Sequence, residues 1–327
     1  METVGTLPPQ LLRMILSAVV VIAFVFMNGL LLGYLERKLA GRFQLRPGPM
    51  EVGPQGMLQM VADAVKLIGK QFIIPRQSST TLFRLAPFLA FVPVGVSFIV
   101  IPLSSKLQVL DLDMGLIFII AVMAFNMVAT LVAGWVSNNK YALFGAVRSV
   151  AQGVAYEIPM LLSLVTVVLL THSFSMRAMV LSQSHIWHVF MQPVAFVIYF
   201  IAGLAETHRA PFDLPEAESE LTAGFHTEFS GICFSFFFLA EYTNMFFVCS
   251  IAVTLFLGGW SGPPLPWMEY SGAIWFMLKV YVLLFIMIWI RWTFPRVRFD
   301  QLLNFCWKYL TPIALLNLLI TALVVKL

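Results

Sequence analysis

Charge is scarce in this chain. Asp, Glu, Lys and Arg make up 11% of its 327 residues, against ~25% in ordinary soluble domains, and the mean hydropathy is +0.89. Such a composition excludes a water-soluble globule. The gaps between apolar runs leave no room for a soluble domain either, so residues 1–327 read as one polytopic membrane domain. Cysteine is nearly missing: Cys233, Cys249 and Cys306 are scattered, with no CxxC spacing. Four-cysteine ligation of an iron–sulfur cluster is therefore excluded within this chain, and the three thiols read as small apolar fillers. No internal repeat suggests the inverted halves of many transporters. The first apolar run exceeds the about 7–15 residues of a signal-peptide core, and no small-residue cleavage site follows, so no cleavable signal is expected.

What is present is a series of apolar runs of about 20 residues, long enough to cross a bilayer as helices. They lie at 11–35, 83–103, 115–136, 150–171, 186–206, 232–257, 272–291 and 308–326. Hydrocarbon offers backbone groups no partners, so spans this apolar must be helical. The expected fold is an all-α integral membrane bundle of about eight transmembrane helices plus a short amphipathic interfacial helix. Trp187, Trp260, Trp267, Trp289, Trp292 and Trp307 fall at or near span ends, as in an interfacial belt.

An even number of spans puts both termini on one side. The segments after odd-numbered spans hold fifteen Lys and Arg, and the opposite side holds Arg13, Lys106, Arg177 and Lys326, with Lys279 left inside a span. The positive-inside rule then makes the fifteen cytoplasmic and leaves both termini outside. The pI near 9.0 comes mainly from this asymmetry and requires no nucleic acid.

The first cytoplasmic segment, 36–82, begins at Glu36-Arg37-Lys38 and runs through Arg42 and Arg46-Pro47-Gly48-Pro49. Its prolines and glycines mark turns. Residues 56–70 then read as an amphipathic helix: Gln59, Asp63, Lys66 and Lys70 form one polar stripe among apolar neighbours. About fifteen residues cannot span, so this helix lies at the interface or packs on the bundle. Gly29 and Gly33, four apart on the first span, are a small-xxx-small pair that admits a close helix neighbour.

A second segment, 206–231, holds six acidic residues and one base: Glu206, Asp213, Glu216, Glu218, Glu220 and Glu228 against Arg209. Pro211 and Pro215 restrict the backbone leading into it. Glu157 sits about eight residues into the fourth span, ~12 Å deep, and Glu241 about ten into the sixth, ~15 Å deep. Glu36 and Glu206 close the first and fifth spans. A carboxylate near the bilayer centre costs roughly 2.5–3.5 kcal/mol on insertion scales and normally marks an ion or proton path. The bland reading is a structural carboxylate bonded to a neighbouring helix, or a solvated acidic surface. The segment's histidines, His208 and His226, show no chelating HxxH or ExxH spacing with these acids, and no metal site is expected.

These motifs are together specific. Pro211-Phe212-Asp213-Leu214-Pro215-Glu216-Ala217-Glu218-Ser219-Glu220-Leu221, with Gly224, Glu228, Ser230 and Gly231, resembles the second signature of the H-type membrane subunit of respiratory complex I. Gly56-x-x-Gln59-x-x-x-Asp63-x-x-Lys66-Leu67 resembles its first. One departure is Phe225-His226-Thr227, where a Tyr-Asn-Val-like triplet is common. The resemblance implies a bacterial inner-membrane subunit of a proton-translocating NADH:quinone oxidoreductase, not catalytic alone. It implies that quinone is the substrate and that no cofactor is bound by this chain. NADH, FMN and iron–sulfur clusters would then belong to peripheral-arm partners, with antiporter-like subunits on the membrane side. It also implies a quinone site with Glu36, Arg37, Arg42, Arg46, Gln59, Asp63 and Lys66. Asp213, Glu216, Glu218, Glu220 and Glu228 would form a coupling loop, with Glu206, Glu157 and Glu241 as a buried proton relay. The alternatives are the homologous membrane subunit of an energy-converting hydrogenase, which uses no quinone, and a transporter that works alone.

Overall fold

The computed structural model describes residues 9–105, 107–215, 218–263 and 271–326. Lys106, Glu216 and Trp267 lie outside the described residues. Every regular element among those described is helical. In chain order they are α1 (Pro9–Phe43), α2 (Gln59–Gly69), α3 (Thr80–Ser97), α4 (Gly115–Val136), α5 (Lys140–Thr171), α6 (Met176–Leu181) and α7 (His188–Met191). There follow α8 (Pro193–Glu206), α9 (Glu218–Leu221), α10 (Ile232–Phe256), α11 (Ser271–Thr293), α12 (Phe299–Phe305) and α13 (Thr311–Lys326).

Seven helices have the length and composition to cross a membrane; α12 and α13 count as one, continuous through a π-helical turn at Cys306–Leu310. The eighth predicted span, 186–206, arrives in two pieces. Pro193 has no N–H to donate and Gln192 is non-helical, so α7 stops and α8 starts afresh with proline at its first position. The 14 residues of α8 rise roughly 21 Å, short of the ~30 Å hydrocarbon core.

Helix α10 is the hub. Of its most apolar window 78% is buried, whereas no other span exceeds 50%. Phe246, Phe247 and Phe256 are wholly enclosed there, and Tyr199 of α8 donates to the Val248 carbonyl at 3.0 Å. The glycines of α1 are contact points. A Cβ on Gly29 would meet Leu239 of α10, and one on Gly33 would meet Met60 of α2.

Two departures from the predicted boundaries shape the site. The amphipathic helix starts at Gln59, because a tight turn precedes it. Gly56 there has φ +76° and lies so close to the Pro49 carbonyl that any Cβ would collide. Helix α5 begins at Lys140, ten residues before the predicted span, capped by Asn139, whose side chain accepts from the Tyr141 amide at 3.0 Å. That extra length carries polar residues that hydropathy excludes from a span.

Candidate functional site

The early turns of α5 hold the acidic segment. Gly145, Arg148, Ser149 and Gln152 share one helix face. A Cβ on Gly145 would lie 2.9 Å from the Pro215 carbonyl oxygen and from Gly224, so the segment is pressed onto the helix. Arg148 pairs with Glu220 at 2.5 Å, and Arg296 reaches the same carboxylate at 3.4 Å. The Arg148 hydrogen bond and the two cations hold Glu220 below the usual carboxylate range. Gln152 donates to the carbonyls of Ala205 and Phe212 at 2.8 and 2.9 Å. Asn139 donates to Glu228 at 2.7 Å. Asp213 is half-buried in the same fold-back, and Glu218 opens α9.

Burial, then the Arg209 charge, pushes His208 down to about 4; its Nε2 lies 2.8 Å from the Ser149 hydroxyl. Burial also lowers His226, with Glu241 acting in the other direction. The triplet that departs from the family pattern thus places a titratable ring near Glu241.

Arg209 leaves this segment to join two spans. Its guanidinium lies 3.5 Å from Glu36 of α1 and 3.4 Å from Glu241 of α10, and sits over the Tyr242 ring at 4.7 Å. Arg291, at the end of α11, also pairs with Glu36. A buried carboxylate, Glu36, and a half-buried one, Glu241, balance two guanidiniums, which offsets the several kcal/mol that an isolated buried charge costs.

Two cavities meet beside this network. One, of about 440 Å³, is the more polar and is bounded by Glu36, Arg37, Arg46, Arg209, Arg291 and Trp292. The other, of about 510 Å³, is largely apolar and lies between α1, α2 and α10, with Phe26, Leu30, Met60 and Leu239 in its wall. Arg37, Phe238 and Tyr242 line both. Each volume falls in the ~300–1,000 Å³ range of small-molecule sites. At the junction Arg37 pairs with Asp63 at 2.5 Å, and Gln59 donates to the same carboxylate at 3.1 Å. Lys66 lines the apolar cavity. Arg42 is exposed and borders neither. The four arginines of the polar cavity face Glu36, Glu241 and Asp63, which leaves one guanidinium in excess; among the described residues Arg46 has no ion-pair partner. Glu36 Oε2 and Trp292 Nε1 are buried there without a hydrogen-bond partner among the described residues.

Glu157 and Glu206 come together elsewhere. Both line a small cavity of about 10 Å³ with Met123, Met127, Met160 and Leu164, room for about one water. Asn126 of α4 lies beside Glu206. A second small cavity, about 20 Å³, is bounded by Asn126, Thr130, His208, Glu241 and Asn244. It places polar side chains between Glu241 and Asn126, the neighbour of Glu206.

Sequence reasoning missed Arg209, Arg291 and Trp292 as site residues. Arg209 is the lone base of an acidic segment, and Arg291 ends a span as Glu36 does. Those two positions were the available signal. Trp292 looked like part of the interfacial belt but lines the polar cavity. Lys279, left inside a span, donates to the carbonyls of Leu257, Gly259 and Ser261 at 2.6, 3.1 and 2.7 Å, beneath the Trp187 ring. The three cysteines are free and buried.

Fold and site together define a polytopic helical membrane protein with an arginine–carboxylate network beside two adjoining cavities. The chain belongs to the NADH dehydrogenase family, whose model matches residues 16–322. It is 47% identical over 310 residues to the H subunit of NADH-quinone oxidoreductase from Dehalococcoides mccartyi, covering 95% of this chain and 86% of that one. To the protein of the same name from Desulfotalea psychrophila it is 46% identical, over 95% of this chain and 96% of the relative. To that of Bacteroides fragilis it is 44% identical, over 99% and 95%. The resemblance read from the two signatures is borne out.

Proposed function

We propose that this chain is the H-type membrane subunit of a proton-translocating NADH:quinone oxidoreductase, walling the quinone chamber and passing the energy of quinone reduction to the membrane arm. The observation that carries this reading is the pair of cavities joined at Arg37, Phe238 and Tyr242. An apolar cavity adjoining a more polar one across shared wall residues suits a molecule with a hydrocarbon tail and a carbonyl-bearing head. The tail would lie along Phe26, Leu30 and Leu239, and the head among the guanidiniums, whose excess charge favours a reduced, anionic ring. Lys66, Asp63 and Gln59 would border the tail's path, and Arg46 the head's.

Electrons would come from NADH through FMN and iron–sulfur clusters on peripheral-arm partners. Those partners would dock on the face where the 36–82 and 206–231 segments meet, Ser230 donating to the Gln71 carbonyl, a face that the Lys/Arg asymmetry of an eight-span reading makes cytoplasmic. A change in charge at the head would be felt first by Glu36 and Glu241 through Arg209. From Glu241 the cavity beside His208 and Asn126 leads to Glu206 and Glu157, and onward to antiporter-like subunits. Asp213, Glu220 and Glu228, with Glu216 and Glu218, would set the charge of the docked loop as it answers the same change.

A quinone carrying a photoreactive head, applied to the assembled complex in membranes, tests the chamber. Label on peptides containing Arg37 or Phe238–Tyr242, competed away by excess quinone, is the expected result. Competed label confined to other subunits contradicts it. Inhibition of electron transfer by quinone-site inhibitors separates this reading from the hydrogenase relative.

A further inference from the structure

Pro159 sits inside α5, two residues beyond Glu157. Proline has no N–H, so the carbonyl of Ala155, four residues back, loses its helical donor. A buried carbonyl without a donor is costly. The Cys306 thiol, from another helix, fills the gap by donating to the Ala155 oxygen. Cys306 is fully buried and opens the π-helical turn between α12 and α13. A π-helical turn inserts one residue into a helix and is seldom kept without a task; here it presents the thiol to α5.

We infer that Cys306 is a positioning residue for Glu157: its thiol and the π-helical turn clamp the proline break of α5 and fix the rotation that presents Glu157 to Glu206. The helix geometry supports this. At 3.6 residues per turn, positions 155 and 157 lie on roughly opposite sides of α5. The Ala155 carbonyl meets Cys306 of the π-helical turn, whereas Glu157, Met160, Leu161 and Leu164 wall the small cavity shared with Glu206. A helix broken by proline can swivel at the break, and any swivel moves Glu157. The thiol holds it from behind. The inference rests on Glu157 serving as a relay group, as proposed above.

The test uses the intact complex in membrane vesicles. The S–H stretching vibration falls in a window clear of other protein bands. The difference spectrum between wild type and Cys306→Ala should remove a component at lower wavenumber than that of an unbonded thiol, the signature of a thiol hydrogen-bonded to a carbonyl. Cys306→Ser, which keeps a donor, gives the same difference if the alanine variant does not assemble. Cys306→Ala should lower NADH-driven quinone reduction and proton uptake about two- to tenfold, the size of one hydrogen bond, and shift the pH profile. Cys306→Ser should restore both. A Cys306 band at the wavenumber of an unbonded thiol overturns the clamp. So does an alanine variant with the wild-type rate and profile alongside an impaired Glu157→Gln. A Glu157→Gln variant with wild-type rate and pumping overturns the relay role of Glu157 itself, while the spectrum still decides the clamp.

Discussion

Arg209 and Glu241 lie 3.4 Å apart, so the single base of the acidic segment pairs with a carboxylate on the central helix. Through Glu36 it also ties the first span into the same network. Arg209→Met leaves the buried Glu36 and the half-buried Glu241 with Arg291 as the remaining guanidinium of the network. Removing one partner of a buried pair costs about 3–5 kcal/mol, so native electrophoresis of membranes should show severalfold less assembled complex. Arg209→Lys keeps the charge but not the fork that spans two carboxylates, and an intermediate amount is expected.

The Arg37–Asp63 pair behaves differently. Its side chains are 41% and 30% exposed, and such pairs contribute about 0–1 kcal/mol. Asp63→Asn should therefore leave assembly intact. It should raise the KM for a short-chain quinone a few-fold with little change in kcat, because the pair stands where the two cavities join. Steady-state kinetics in membranes check this.

His208 adds a pH dependence of known sign. Its folded-state pKa is about 4, below the ~6.5 of an unperturbed imidazole. The unfolded chain therefore binds a proton that the native one refuses, and stability falls as pH drops from about 6.5 towards about 4. Thermal melts of the purified complex across that window should show this loss, and His208→Gln should make the curve flatter.

Lys279 is expected to be structural. Its ammonium closes the C-terminal end of α10 through three carbonyls, where a cation also complements the helix dipole. Lys279→Met strands those acceptors, and charged hydrogen bonds contribute about 1.5–3 kcal/mol each. The expected outcome is a lower melting temperature and less assembled complex, with any complex that does assemble keeping its KM for quinone.

Much of this architecture is legible in the sequence because hydropathy and helix period act locally. Seven spans, the amphipathic α2 and its polar stripe follow from runs of neighbouring residues. The break at Gln192–Pro193 is also a local signal, but the apolar content on both sides conceals it. Glu36, Glu157, Glu206 and Glu241 are conspicuous because charge at that depth is expensive. What joins them is not local. Arg148 and Ser149 lie just before the predicted start of their span and Gln152 just inside it, and only the folded chain shows them gripping the segment beyond Glu206. Arg209 and Arg291 acquire their role from Glu36, which lies far away in sequence. Cys306 looks like apolar filler until the carbonyl orphaned by Pro159 is found beside it.

The measurement that bears most directly on the central proposal uses vesicles containing the intact complex with Glu206→Gln or Glu241→Gln. Electron transfer from NADH to a water-soluble acceptor that bypasses quinone should match wild type, showing an assembled peripheral arm. NADH-driven quinone reduction and proton uptake should fall together, by about tenfold or more. Wild-type quinone reduction and pumping in both variants would contradict a relay through these carboxylates.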